Sequence, residues 1–207
     1  MKLIDGIKLK GRGIEIPDCS RDELPELFKQ LGFTTGAEIG VAKGEYSELF
    51  CKAGLKIYSV DAWAAITDYN RGSFNGRLEK EFEIATKRLA PYGDKSVIVR
   101  KTSMDAVKDF ENKSLDFVYI DAHHGFKYVT EDIYEWSKKV KQGGVICGHD
   151  YALSSNNPSS PYAVHVKYVV DAYTLAYGIE NWYILGQKNA PEGEKRDKRR
   201  SWMWIKG

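Results

Sequence analysis

Two stretches of this chain each end an apolar run on an acid beside histidine. FVYIDAHHGF (117–126) carries Asp121, His123 and His124, and GGVICGHDY (143–151) carries His149 and Asp150. Carboxylates and imidazoles gathered at one place serve two chemistries. They move protons near neutral pH, where imidazole titrates, or they hold a divalent cation. A third acid, Asp61, ends the apolar run KIYSVD, and Glu38 precedes the glycines Gly40 and Gly44 in AEIGVAKGEYS. Glycines after a strand let the backbone approach a ligand, and the amino end of the following helix offers N–H groups. An acid closing the next strand can accept hydrogen bonds from ribose hydroxyls, the logic of the dinucleotide fingerprint. Together these residues point to a nucleoside-containing cofactor, although the GxxxG spacing is not the GxGxxG of nicotinamide enzymes.

Such residues need a scaffold that brings strand ends to one edge, and strand and helix patterns do alternate. SRDELPELFKQLG (20–32) opens with Ser20 and Glu23 as a capping box and continues at helical spacing. AEIGV (37–41), KIYSVDAW (56–63), SVIVRK (96–101), LDFVYID (115–121) and GGVICGH (143–149) read as strands. Between them lie helical patterns: GEYSELFCKAG, the polar stretch from Asn70 to Leu89, MDAVKDF, and Phe126 to Val140. A long helix, YAVHVKYVVDAYTLAYG (162–178), follows a loop rich in Ser, Asn and Pro. WYILGQ (182–187) and SWMWIKG (201–207) then read as strands with no helix between them, so they must pair antiparallel. The expected fold is α/β: a Rossmann-like, seven-stranded, mostly parallel sheet with helices on both faces and an antiparallel C-terminal hairpin. Residues 1–207 are expected to form a single domain, with 1–32 as an N-terminal extension and helix and 33–207 as the catalytic core.

Composition excludes several classes. With 207 residues, a net charge of +2, 43% hydrophobic and 13% aromatic residues, the chain suits a globular protein. Neither a disordered tail nor a strongly basic nucleic-acid binder has that balance. Its three cysteines (Cys19, Cys51, Cys147) lack metal-ligand spacing, and a reducing cytoplasm fits them best. No apolar run approaches the roughly 20 residues of a membrane helix. The charge-dense segment PEGEKRDKRR (191–200) carries both signs and reads as a solvated loop. SNNPSSPY follows the fifth strand and its prolines are not adjacent, which excludes the amino-methylating motif it superficially suggests.

The ordered set AEIGVAKGEYS, SVDAW, LDFVYIDAHH and KQGGVICGHDY resembles the motifs of class I S-adenosylmethionine-dependent methyltransferases over residues 33–151. More narrowly, the chain is similar to the small O-methyltransferases typed by macrocin methyltransferase and to the related cephalosporin-hydroxylase-like group. The resemblance implies S-adenosylmethionine as cofactor and a small-molecule hydroxyl, sugar or phenol, as acceptor. Glu38, Gly40 and Gly44 would border the methionine moiety, Asp61 the ribose, and Ala62 and Trp63 the adenine. Thr102 and Ser103 would lie near its exocyclic amine, and Asp121 would face the methionine ammonium or a metal. Catechol-type relatives carry a lysine base where this chain has His124, so His124 is the first candidate base and His149 the second. Those relatives hold a metal on an Asp and an Asp-Asn pair; here the corresponding set is Asp121, His149 and Asp150. Mg²⁺ prefers oxygen ligands, whereas Mn²⁺, iron or zinc accept imidazole better. So either Asp121 and Asp150 alone hold a cation, Mg²⁺ or Mn²⁺, or His149 is a base, or no metal binds. His123 reads as a loop residue and His165 as packing or surface, while Tyr69, Asn70, Arg71 and Phe74 are placed to cap the cleft. The competing classes are a hydroxylase-like protein on the same fold, a nicotinamide enzyme, and a cofactor-binding protein without methyl transfer. The acceptor's identity and a homo-oligomeric state are left open, and no membrane or nucleic-acid partner is expected.

Overall fold

The computed structural model describes residues 1–65, 75–153 and 164–207. The four residues expected to cap the cleft, the start of the Asn70 helix and the Ser/Asn/Pro loop lie outside these described residues. One sheet is built from β1 (Ile14–Ile16), β2 (Thr35–Ile39), β3 (Lys56–Asp61), β4 (Ser96–Arg100), β5 (Leu115–Ile120), β6 (Val140–Gly148), β7 (Trp182–Leu185) and β8 (Ser201–Ile205). Their order is β1-β7-β8-β6-β5-β2-β3-β4. Strands β2 to β6 pair in parallel, and β8 runs antiparallel between β6 and β7, as its helix-free connection requires.

The sheet has eight strands instead of the expected seven. The extra one, IEI, lies in the N-terminal segment and pairs in parallel with β7, Ile14 opposite Tyr183 and Ile16 opposite Leu185. Three residues are too few for an alternating pattern to register, which is why this strand is invisible as periodicity.

The helices are α1 (Leu3–Gly6), α2 (Leu24–Gln30), α3 (Glu45–Lys52), α4 (Asn75–Leu89), α5 (Ser103–Ala106), α6 (Phe126–Lys139) and α7 (Val166–Ala176). Helix α2 starts later than the capping box suggests. Ser20 Oγ accepts from the N–H of Asp22 at 3.3 Å, and a 3₁₀ turn, Arg21–Glu23, precedes the helix. Pro25 then occupies the first turn, where a missing N–H does no harm. That turn aims Arg21 toward the carboxyl ends of the strands.

Strand β5 is buried throughout, as a central parallel strand covered on both faces must be. Phe117 and Tyr119 face a core with Phe28 of α2 and Phe50 of α3, while Val118 and Ile120 face one with Trp136 of α6. No helix among the described residues is long and apolar enough to cross a membrane.

The join between β6 and β8 positions one of the histidines. Gly148 lies opposite Trp202, and a Cβ there would come within 2.6 Å of the indole, so ring and glycine interlock. Trp202 is fully buried, stacks on Trp204 at 5.1 Å, and donates from Nε1 to the carbonyl of His149 at 3.1 Å. Trp202→Ala should therefore lower stability by about 3–5 kcal/mol in denaturant unfolding. A loss below about 1 kcal/mol would show that the hairpin is not braced through this ring.

Candidate active site

The chain turns from β2 toward β3 on one side, and from β5 toward β6 on the other. Their carboxyl ends therefore diverge at the switch point, the place where open α/β sheets take ligands. A cleft of about 780 Å³ opens there, with Arg21, Glu38, Gly40, Asp61, Asp121 and His124 on its wall. That is within the roughly 300–1,000 Å³ usual for small-molecule sites. Gly40 has φ +90°, and a Cβ on it would sit 2.3 Å from the Asp121 carbonyl oxygen. Any side chain would wedge the two strand ends apart, so this glycine is obligatory. The N–H of Asp121 donates to the Ile39 carbonyl at 2.8 Å, tying the ends together.

On the β2–β3 side, the Asp61 carboxylate organises the loop that follows β2. Its Oδ2 accepts from the N–H groups of Val41 and Ala42 at 2.9 and 3.0 Å, and Oδ1 from that of Trp63 at 2.8 Å. A carboxylate has about four acceptor positions, so one remains on Oδ1 for a ligand hydroxyl. Ala42 and Trp63 adopt positive φ, 49° and 43°, within this loop, a strain of the kind that collects at ligand sites. Ala62 and Trp63 reach the cleft wall, but the Trp63 indole is 3% exposed. It packs on Phe82 and donates from Nε1 to the Ala42 carbonyl at 2.7 Å, so it shapes the loop from beneath. Gly44 lies off the wall: at φ +74° it caps α3, and a Cβ would press on Ala85 and Leu89 of α4 at 3.2–3.4 Å. Its small size serves helix packing.

Glu38 and Ser103 meet the cleft with one carboxylate oxygen and the hydroxyl already engaged. Glu38 is 2% exposed and receives a hydrogen bond from Ser47 Oγ, which also shares one with Ser59 at 2.7 Å. Burial pushes its carboxyl up to about 8, against the weaker pull of the Ser47 bond. Thr102 caps α5, its Oγ1 accepting from the Asp105 N–H at 3.2 Å. Ser103 donates to Asp132 and accepts from Trp136 Nε1 at 2.9 Å. Asp132, an acid the sequence did not single out, also reaches the wall, and burial raises it to about 7.

On the β5–β6 side the acids and histidines converge. His124 Nε2 lies 3.3 Å from Asp121 Oδ1 and 3.1 Å from Asp150 Oδ2. Burial opposes a charged ring, but the Asp121 hydrogen bond and the charges of Asp150 and Asp121 prevail, and its pKa is raised above 6.5. His149 lies deeper: its Nδ1 is 3.4 Å from Asp150 Oδ2 and 3.8 Å from Asp121 Oδ2. Its Nε2 has no hydrogen-bond partner among the described residues, with Asp197 Oδ2 at 3.8 Å. Among the described residues, His149 and Asp150 lie behind the cleft wall, and His124 is on it. Donor atoms of Asp121, His124 and Asp150 fall within 4.8 Å of one another, close enough for one cation. The expected third ligand, His149, is thus replaced by His124 in that grouping. Both carboxylates, however, also hold guanidinium groups. Arg21 Nη1 donates to Asp121 Oδ2 at 3.0 Å and Arg199 Nη1 to Asp150 Oδ1 at 3.0 Å. Although burial raises an acid's pKa, the bonds and charges of His149, His124 and Arg199 outweigh it and hold Asp150 well below the usual carboxylate range.

Arg21, Asp132, Asp197 and Arg199 are the site residues that sequence reasoning missed. Arg199 and Asp197 belong to the segment expected to be a solvated loop. Instead Asp197 accepts from the Arg21 N–H at 3.2 Å and the segment straps the site. The remaining histidines support the loop: His123 Nδ1 accepts from the Gly125 N–H at 2.9 Å and its ring meets Tyr128 at 4.1 Å. His165 Nδ1 accepts from the Phe126 N–H at 3.2 Å, while its own N–H donates to the His124 carbonyl at 2.9 Å.

This fold and strand-end cleft define a Rossmann-like α/β architecture, and comparison with known proteins gives its family. The model of a family of methyltransferase domains matches residues 37–151, from within β2 past the end of β6, and the chain belongs to that family. An O-methyltransferase from Bacillus cereus, solved in complex with S-adenosylhomocysteine, is 18% identical, with a TM-score of 0.60 over 89% of this chain and 80% of that one. The O-methyltransferase TomG from Streptomyces achromogenes, in complex with S-adenosylmethionine, is 15% identical, with a TM-score of 0.58 over 90% of this chain and 79% of that one. At these identities the likeness carries the fold. The protein y4gI of Sinorhizobium fredii (strain NBRC 101917 / NGR234) is 26% identical over 119 residues, which is 55% of this chain but only 12% of that relative's length.

The buried Glu38 gives the cleft a measurable pH signature. Its ordinary value is 4.5 and its folded value about 8, so between them the folded state keeps a proton that the unfolded chain has released. Stability from this group is complete below the lower value and falls as pH rises through the upper one. Wild type should therefore lose up to ~1.4 kcal/mol per pH unit more than Glu38→Gln across that window. Parallel urea-unfolding profiles of the two proteins between pH 5 and pH 8 would contradict it.

Proposed function

We propose that the protein transfers a methyl group from S-adenosylmethionine to a hydroxyl oxygen of a small molecule, with His124 as the general base. The observation that carries this reading is one cleft joining a backbone-organised acid, Asp61, to an imidazole, His124, clamped between two carboxylates. The residues present fit the cofactor. Gly40 leaves room for close approach at the strand ends, Asp61 Oδ1 keeps one acceptor position for a ribose hydroxyl, and Glu38 lines the same wall, where the methionine moiety would lie. Thr102 and Ser103 spend their hydroxyls within the protein, so Asp132 is the group better placed to meet the exocyclic amine. When bound, the cofactor supplies an electrophilic methyl group and leaves as a neutral thioether.

What the chain contributes is position and proton removal. Two carboxylates face Nε2 of His124, so the neutral ring keeps its proton on Nε2 and leaves Nδ1 basic. The acceptor hydroxyl gives its proton to Nδ1 as its oxygen attacks, and Asp121 and Asp150 stabilise the imidazolium that forms. The same logic operates in the acid–histidine pairs of hydrolases. The mechanism needs a neutral His124, so activity should rise with pH through a limb above 6.5. His149, behind the wall, is a supporting group. The nicotinamide and hydroxylase-like alternatives have no comparable feature in their favour.

Two variants separate the halves of the site. Asp61→Ala should weaken S-adenosylhomocysteine binding by about 10²-fold or more, since both a charged acceptor and the loop it ties are lost. Wild-type affinity by calorimetry would remove Asp61 from the cofactor site. His124→Ala should reduce kcat by about 10²–10⁴-fold with cofactor affinity nearly unchanged. Undiminished turnover of an acceptor found by screening phenols and sugars, or an unmoved pH limb, would eliminate His124 as base.

A further inference from the structure

We propose that Arg21 and Arg199 stand where a divalent cation would stand, so that the acid pair Asp121 and Asp150 binds guanidinium groups and the protein works without metal. The inference rests on the methyl-transfer reading for its chemical meaning, though its test reads binding.

The two carboxylates divide their oxygens between the ring and the guanidinium groups. Asp121 presents Oδ1 to His124 and Oδ2 to Arg21; Asp150 presents Oδ2 to His124 and Oδ1 to Arg199. Two negative charges thus meet two permanent positive ones, since guanidinium does not deprotonate in proteins. A dication entering among Asp121, His124 and Asp150 would meet like charge and would have to displace both ion pairs.

Arg21 is not a loose surface arginine that could swing away. Its Nη1 also reaches the Tyr119 hydroxyl at 3.4 Å, and its guanidinium carbon lies 5.2 Å from the centre of the Tyr46 ring. Its main chain is held at both ends: the carbonyl accepts from Tyr46 Oη at 2.6 Å, and the N–H donates to Asp197 Oδ2 at 3.2 Å. Asp197 and Arg199 come from the same strap, so one segment brings a partner for Asp150 and an anchor for Arg21. The donor types agree. His149-Asp150 stands where an all-oxygen pair would suit Mg²⁺, and the Nδ1 of His149 leans on Asp150 Oδ2 itself, at 3.4 Å. Arg21 lines the cleft, where its charge takes over what a cation would do for a forming oxyanion: it favours loss of the hydroxyl proton to His124.

The test is a Mn²⁺ titration, followed by the paramagnetic signal of the free ion and by thermal unfolding, with S-adenosylhomocysteine present. Wild type should show no saturable Mn²⁺ binding up to millimolar concentration and no shift in Tm. The double variant Arg21→Met/Arg199→Met should gain a Mn²⁺ site and a rise of about 5–10 °C once Mn²⁺ exceeds its Kd a hundredfold. Arg21→Lys/Arg199→Lys keeps the charges and should stay indifferent to Mn²⁺. Should the double methionine variant not fold, Arg199→Met alone asks the same question, because that side chain is 44% exposed and its removal leaves the core intact. Tight Mn²⁺ binding by wild type would overturn the proposal. So would a folded methionine variant that binds none, since something other than the guanidiniums would then exclude the ion. Calorimetry of wild type with S-adenosylhomocysteine alone is the separate arm: its failure sinks the methyl-transfer reading and leaves the Mn²⁺ result standing.

Discussion

The close approach of two parallel strands at their carboxyl ends governs the site. β2 and β5 pair through Ile39 and Ile120, and one residue further on Gly40 lies against the main chain of Asp121 with no room for a Cβ. Without that contact, Glu38 and Asp61 on one side would not share a cleft with Asp121 and His124 on the other. The sheet's topology makes the contact possible, because β2 and β5 are neighbours in space but send their connections in opposite directions. Asp121 is where the halves meet: its main chain seals the strand ends, while its carboxylate belongs to the charged cluster.

Charge balance is the second constraint, and it draws on the whole chain. The segment shared with the family, residues 37–151, supplies Asp121, His124, His149 and Asp150. The counter-charges come from outside it. Arg21 arrives on the 3₁₀ turn before α2, and Asp197 and Arg199 arrive on the β7–β8 connection. The extra strand β1 explains how the amino-terminal segment comes to be there. It docks on β7, and Glu15 within it pairs with Arg200, tying this segment to the strap that carries Arg199. The flanking segments thus supply the counter-charges for acids and imidazoles that lie within the family-matched core. A partly desolvated cluster of this kind is sensitive to each partner, because removing one charge leaves another uncompensated.

Much of this was legible in the sequence, and the reasons for what was not are physical. The alternation of apolar strands and amphipathic helices, and the helix-free closing pair, are local patterns, so the parallel core and its antiparallel end could be read. That Asp61, Asp121 and His124 come to the strand ends could be read too, since Asp61 closes β3 and the other two follow β5 by one and four residues. Gly44 and Trp63 were harder. A glycine at a helix start serves ligand approach or helix packing, and only the position of α4 decides for packing. An indole beside an acid can line a pocket or prop a loop, and Trp63 reaches the cleft wall while its bond to the Ala42 carbonyl props the loop. Arg21 and Arg199 carried no local signal at all. Their role depends on where β1 and β8 enter the sheet, and an arginine in a charged run looks the same whether it meets water or Asp150.

The cleft also contrasts two ways of handling a buried acid. Glu38 and Asp150 are both largely removed from water, at 2% and 6% exposure. Yet Glu38 is pushed up to about 8, while Asp150 is held below the usual carboxylate range. Desolvation is the largest influence on each, so the neighbours make the difference. Glu38 has a serine hydroxyl, whose bond favours the charged form only weakly, whereas Asp150 has two imidazoles and a guanidinium, which favour it strongly. The result is a site in which one buried acid, Glu38, tends to hold its proton and the other, Asp150, tends to give its proton up. Under the proposed reaction, a proton passing to His124 would meet an Asp150 carboxylate already ionised and already oriented on the ring.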